Sequence, residues 1–189
     1  MNKMTMMGVW LIALFSTGCN QDLVEYNSND LKISIEKGEK WLHKFPLFLG
    51  INKKNPPQIA IWTEDMKGHY LSTVYVTHKI ATQSWQFSGG NRRKEALPHW
   101  CYQRGVESED GLYLPTKKSP LVDGITGATP QGSFQVKMVP TGKQKQFIVK
   151  VEINHSADFN EAFPKSAKEG DANYTGGKEG SGQPALVYA

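Results

Sequence analysis

The apolar positions of this chain fall mostly at every second residue. Leu31, Ile33 and Ile35 alternate with Lys32, Ser34 and Glu36; Phe134, Val136 and Met138 alternate with Ser133, Gln135 and Lys137; Phe147, Val149, Val151 and Ile153 repeat the pattern. Successive side chains of a strand point to opposite faces, so a period of two predicts half-buried strands with one face toward a core. Residues 58–62 and 70–77 are rich in β-branched and aromatic side chains, and Glu64-Asp65-Met66-Lys67-Gly68 between them predicts a hairpin. Residues 81–87 and 184–188 complete the expected strands. Two short helices are expected: 92–97, behind Asn91 and stopped by Pro98, and 157–163, behind Ser156 and stopped by Pro164. No βαβ alternation supports a parallel sheet. The pattern therefore predicts a mainly β chain, an antiparallel β-sandwich with one or two short helices and long loops.

The start of the chain departs from that pattern. Residues 1–18 carry one charge, Lys3, ahead of an apolar run from Gly8 to Phe15 and a Ser16-Thr17-Gly18-Cys19 stretch. This is the layout of a secretion signal, and the run is shorter than the ~20 apolar residues that cross a bilayer. Gly18-Cys19 resembles a bacterial lipobox, although Ser16 stands where such signals usually have Leu. The resemblance implies a lipoprotein signal peptide at 1–18 and acylation of Cys19, which anchors the chain to a membrane through lipid. Asn20 follows, not the Asp that in Gram-negative families favours inner-membrane retention, so the expected location is the periplasm, at the outer membrane. An ordinary cleaved signal or a short anchor is the alternative. Residues 19–30 read as a polar tether, and 31–189 as a single domain.

Composition narrows the function classes. Apolar residues make up 39% and charged residues 21% of the 189, enough for a real core in one domain. The formal charge is +4, or +3 once Lys3 leaves with the signal. That is too mild for nucleic acid, and the one basic cluster, Arg92-Arg93-Lys94, runs straight into Glu95. With Cys19 acylated, Cys101 is left without an internal disulfide partner. Between Trp100 and Tyr102 it reads as a small buried hydrophobe, with a reactive thiol as the alternative. His43, His69, His78, His99 and His155 include no i, i+2 or i, i+4 pair, so no metal site is assigned. His155, Asp158 and Glu161 would share a face if 157–163 were helical. No Gly-x-Ser-x-Gly or phosphate-cradling glycine loop is present, so no catalytic residue is assigned. Trp62, Trp85, Trp100 and Tyr102 could stack on a flat ring, or fill a β core.

The most informative stretch is Asp123-Gly124-Ile125-Thr126-Gly127-Ala128-Thr129-Pro130. Its small residues surround one presentable threonine. Without further context it reads as a turn, with Pro130 presetting φ and Gly132 leading into a strand. It also resembles the acceptor motif of extracytoplasmic flavinylation, Asp-(Gly/Ala)-x-(Ser/Thr)-Gly-Ala-Thr, in which a flavin transferase joins FMN to the last threonine through a phosphoester. That implies covalent FMN on Thr129, with Asp123 and Thr126 shaping the loop, Gly124 and Gly127 granting its backbone angles, and Ala128 keeping it uncrowded. Gln131 departs from the Ser or Thr that many such proteins carry two residues after the acceptor.

A wider resemblance covers nearly all of 31–189. Asn55-Pro56-Pro57-Gln58, Ile61-Trp62-Thr63-Glu64-Asp65, Glu95-Ala96-Leu97-Pro98-His99-Trp100, the 123–130 run, Val151-Glu152-Ile153-Asn154-His155 and Gly182-Gln183-Pro184-Ala185-Leu186-Val187-Tyr188 occur in that order. They are similar to a bacterial family of predicted periplasmic proteins defined by a domain of unknown function and associated with flavin-transfer systems. The resemblance implies envelope electron transfer, with a flavin transferase and unidentified redox or envelope proteins as partners. Segments 58–77 and 132–153 are also similar to the immunoglobulin-like domain of flagellar hook-capping proteins, which implies an immunoglobulin-like sandwich and nothing flagellar. The alternative expectation is a noncatalytic immunoglobulin-like binding or assembly module, in which 123–130 is an interstrand turn.

Overall fold

A computed structural model describes residues 31–46, 52–85, 92–121, 124–138, 146–177 and 180–189. The signal, Cys19, the tether and Asp123 lie outside them. In chain order the elements are β1 (Leu31–Ile35), β2 (His43–Pro46), β3 (Asn52–Asn55), β4 (Gln58–Glu64), β5 (Tyr70–Thr77), α1 (His78–Thr82), α2 (Pro98–Arg104), β6 (Ile125–Gly127), β7 (Phe134–Met138), β8 (Ile148–Asn154) and β9 (Leu186–Tyr188). The chain is mainly strand with two short helices among the described residues. A five-stranded sheet has the order β6-β5-β4-β8-β9, and β1-β7 and β2-β3 form antiparallel ribbons.

The sheet is organised around β4, whose seven residues are all buried. Alternation sends Ala60 and Trp62 into a core with Val76, Ile80, Leu97 and Trp100, and sends Ile59 and Ile61 into another with Trp41, Tyr75, Val136 and Val151. A strand buried on both faces must be covered on both. The helices and the 92–121 segment cover the first face; β7, paired to β1, covers the second. Full burial of each large apolar side chain contributes roughly 1.5–3 kcal/mol.

The hairpin across 64–68 forms: β4 and β5 pair antiparallel, with register irregularities at Ile61/Trp62 and Thr63/Glu64. Four expectations fail. Residues 92–97 are not helical; Arg93 sits at φ 52°, and the helix begins at Pro98. The proline read as a stop is the first residue of α2, where its missing N–H costs nothing and its φ suits the helix. Residues 157–163 are not helical either, because Ala157 takes φ 61° and the Asp158 side chain bonds Gln183 instead. The strand expected from 81 is the end of α1, which closes with Gln83 at φ 54°. Against the all-antiparallel expectation, β6 joins β5 in parallel, Tyr75 opposite Ile125 and Thr77 opposite Gly127.

Candidate modification site

Residues 124–130 of the run resembling a flavinylation motif form the edge of the five-stranded sheet and the corner that follows. The Leu121 N–H donates to the Ala81 carbonyl at 3.0 Å, returning the chain to the end of α1. Gly124 then passes so close to β5 that a Cβ there would stand 2.9 Å from Thr73 Cγ2. A Cβ on Gly127 would stand 3.0 Å from Tyr75 Cε2. Neither glycine has a positive φ. Their function is therefore close approach to β5, and the expectation that they grant unusual backbone angles is corrected.

Beyond β6 the loop is fixed on both sides of Thr129. The Tyr75 hydroxyl donates to the Ala128 carbonyl at 3.2 Å, and Trp41 Nε1 donates to the Pro130 carbonyl at 2.9 Å. Burial raises the Tyr75 pKa, which keeps the phenol a neutral donor. Pro130 is buried, Thr126 and Ala128 are exposed, and Thr129 is half-buried. No hydrogen bond joins the Thr129 hydroxyl to another described residue. Past the corner the Lys37 N–H donates to Ser133 Oγ at 3.0 Å, tying the exit to the segment after β1. The arrangement presents one hydroxyl, backed by two anchored carbonyls, beside an alanine and an exposed threonine.

The other candidates do not converge on this loop. Trp62 and Trp100 are core: Trp62 Nε1 donates to Glu64 Oε1 at 2.7 Å, and Trp100 Nε1 to Thr73 Oγ1 at 3.0 Å. Tyr102 is 67% exposed, on α2. Cys101 is buried, and burial pushes its thiol pKa up. His155 lies 6.0 Å from His43, ring to ring, and burial lowers its pKa despite the nearby Asp158. Asp158 Oδ1 accepts from the Gln183 N–H at 3.0 Å, which gives it a structural role. Among the described residues no three His, Cys, Asp or Glu side chains gather as a metal cluster.

A buried carboxylate was not foreseen. Glu152 is 0% exposed on β8, and its Oε1 and Oε2 accept the backbone N–H groups of His99 at 3.1 Å and Trp100 at 2.8 Å. It caps α2 from another strand, satisfying donors the helix cannot satisfy itself. Burial pushes its pKa up to about 7, against the opposing pull of those two N–H groups. Nothing local signals its burial, because Glu152 falls with Lys150 and Asn154 on the polar positions of the alternation, where exposure is expected. No protein-family model, curated protein or solved structure matches this chain.

Proposed function

We propose that the chain is a lipid-anchored envelope protein carrying FMN covalently on Thr129, as an electron carrier between envelope partners. The observation that carries this reading is the Thr129 hydroxyl, half-buried and without a described protein partner, between carbonyls fixed by Tyr75 and Trp41. The residues present suit a phosphoester there. Ala128 and Thr126 are small and exposed, so they leave access for a transferase and room for the group it adds. The Thr129 oxygen would attack the phosphorus of an activated flavin phosphate held by the transferase, and its proton would pass to a base of that enzyme as the leaving phosphate departs. Bound FMN supplies reversible electron transfer. The chain holds the acceptor loop through Tyr75 and Trp41 and braces the strand before it with Gly124 and Gly127. Acyl Cys19 confines the protein to a membrane surface beside its partners, in the periplasm at the outer membrane.

An immunoglobulin-like sandwich is the architecture that goes with this reading. It is supported by the β1-β7 ribbon over the Ile59 and Ile61 face of the main sheet. A second reading, a noncatalytic binding or assembly module, is favoured by β9. That edge strand leaves Leu186, Val187 and Tyr188 exposed.

The test is the intact mass and visible spectrum of protein coexpressed with a flavin transferase, beside Thr129→Ala. The carrier reading expects an added FMN mass and yellow colour, both lost in the variant. Colourless, unmodified wild-type protein would overturn it in favour of the binding module, and an added FMN mass that survives Thr129→Ala would overturn the assignment to Thr129.

A further inference from the structure

The β1-β7 ribbon leaves the β9 end of the Ile59 and Ile61 face uncovered. At the other end it reaches β5, where Phe134 packs on Tyr75 with ring centroids 5.3 Å apart. Cross-strand register carries the face outward: Ile59 lies opposite Ile153 and Ile153 opposite Leu186, while Ile61 lies opposite Val151 and Val151 opposite Tyr188. Directly opposed residues share a face, so Leu186 and Tyr188 extend the apolar floor onto β9, yet they stay 59% and 57% exposed. A cavity of about 730 Å³ stands over this outer half, within the usual range for small-molecule sites. Val151, Ile153, Leu186 and Tyr188 are its floor, and Trp41 is in its wall. Glu36 and Lys40 bring one charge of each sign to the lining, and Asp158 is engaged by Gln183. A flat, mainly apolar group suits such a floor better than an ion.

The segment 34–41 that walls the cavity also holds the Thr129 corner. Ile35 lies opposite Phe134 in the ribbon, the Lys37 N–H donates to Ser133 Oγ, and Trp41 Nε1 donates to the Pro130 carbonyl at 2.9 Å. The Trp41 N–H donates to the Gly38 carbonyl at 3.1 Å, closing the turn that places the indole. One side chain therefore lines the cavity and binds the residue that follows Thr129. On the sheet, Tyr75, whose hydroxyl holds Ala128, heads the row that runs through Ile61 and Val151 to Tyr188. That row crosses three strand spacings, roughly 14 Å. The phosphate and ribityl chain between a threonine oxygen and a flavin ring extends to roughly 10 Å at ordinary bond lengths, and the ring adds its own length.

We infer that this groove seats the ring of the flavin borne on Thr129, against β8 and β9 with Trp41 at its inner edge, an inference that rests on the carrier reading. The seated ring takes Leu186 and Tyr188 out of water, which favours docking. It also lies at the outer edge of the sheet, where a redox partner can approach it. The floor residues act on the ring by contact and take no part in its attachment.

The test compares flavinylated wild-type protein with the double variant Leu186→Asp, Tyr188→Ala, read by flavin emission and its quenching by iodide. Both residues are exposed and on another strand from the acceptor loop, so attachment at Thr129 should continue. Wild-type flavin is expected to emit severalfold less than free FMN, because an indole or phenol packed on the ring quenches it, and to resist iodide. The double variant should regain emission and iodide access severalfold. Wild-type flavin as open to iodide as free FMN, or a double variant that matches wild type, overturns the inference. If the double variant fails to fold or to take flavin, hydrogen exchange decides on an unaltered groove. Amides of 34–41 and 186–188 should exchange more slowly in flavinylated wild type than in Thr129→Ala, and equal exchange overturns the seat. Flavinylated protein with an open ring removes the seat and keeps the carrier reading. Wild-type protein left unmodified beside a transferase removes both, and protection of 186–188 that rises with protein concentration then gives the groove to a second copy of the chain.

Discussion

Replacing Glu152 with Gln should flatten the dependence of stability on pH between about 4.5 and 7. The carboxyl titrates near 7 in the folded protein against an ordinary value of 4.5. In that interval the folded chain holds a proton that the unfolded chain has lost, so unfolding releases it. The stabilisation is full below 4.5 and is lost as pH rises to about 7. The size follows from the interval, about 3 kcal/mol. Glu152→Gln has no such proton. Its amide can accept only one of the two N–H groups from His99 and Trp100, so a level drop of about 1–3 kcal/mol is also expected. Slope and level are therefore separate readouts. Urea unfolding followed by tryptophan fluorescence from pH 4.5 to 8 measures both, and the histidines common to the two proteins cancel in the difference. The stability advantage of wild type over Glu152→Gln should shrink by about 3 kcal/mol across the interval. Parallel curves, or an advantage that grows with pH, would refute the assignment.

Three further outcomes follow from described contacts. Lys150→Met should cost about 2–3 kcal/mol in urea unfolding, because Glu64, 1% exposed, loses the ammonium at 2.9 Å; adding Glu64→Gln should recover much of it. Gly124→Ala should cost about 1–3 kcal/mol, since the new Cβ meets the Thr73 methyl at 2.9 Å, and Thr73→Ser in the same chain should relieve it; unchanged stability of the single variant would refute the close approach. In a Cys19→Ser chain, Cys101 should resist a thiol reagent until the protein unfolds, because it is buried and its pKa is raised; labelling of native protein within minutes would contradict that.

The strands with a clear period of two were legible. β1 and β7 follow the expected alternation, and the turn chemistry at 64–68 joins β4 to β5, whereas β8 is not half-buried as expected: Glu152 and Asn154, on its polar positions, are more buried than Ile153. What escaped lacks local pattern. β3 is Asn-Lys-Lys-Asn, and β6 is three residues long and held by a distant partner in parallel. Pro98 is compatible with both ending and starting a helix, and only the packing of Trp100 and Cys101 against the sheet decides which. The motif residues could be picked out from type and spacing. Tyr75 and Trp41, which hold the loop, could not, because their bonds reach across 53 and 89 positions of sequence. The two motif glycines were noticed, but their physical role depends on side chains of β5.

The parallel pairing of β5 and β6 also sets an order of events. Tyr75 and Ile125 are 50 residues apart, and closing a loop of that size costs roughly 3.5 kcal/mol in chain entropy, against about 1.4 for the five-residue turn between β4 and β5. Three residue pairs cannot offset that cost alone, so β6 docks only after α1, α2 and the segment to Leu121 have settled on the sheet. The Thr129 corner is thus assembled late, on a body already folded. A transferase that recognises the corner in its docked shape would pass over unfinished chains, and a cofactor attached there would certify that folding is complete.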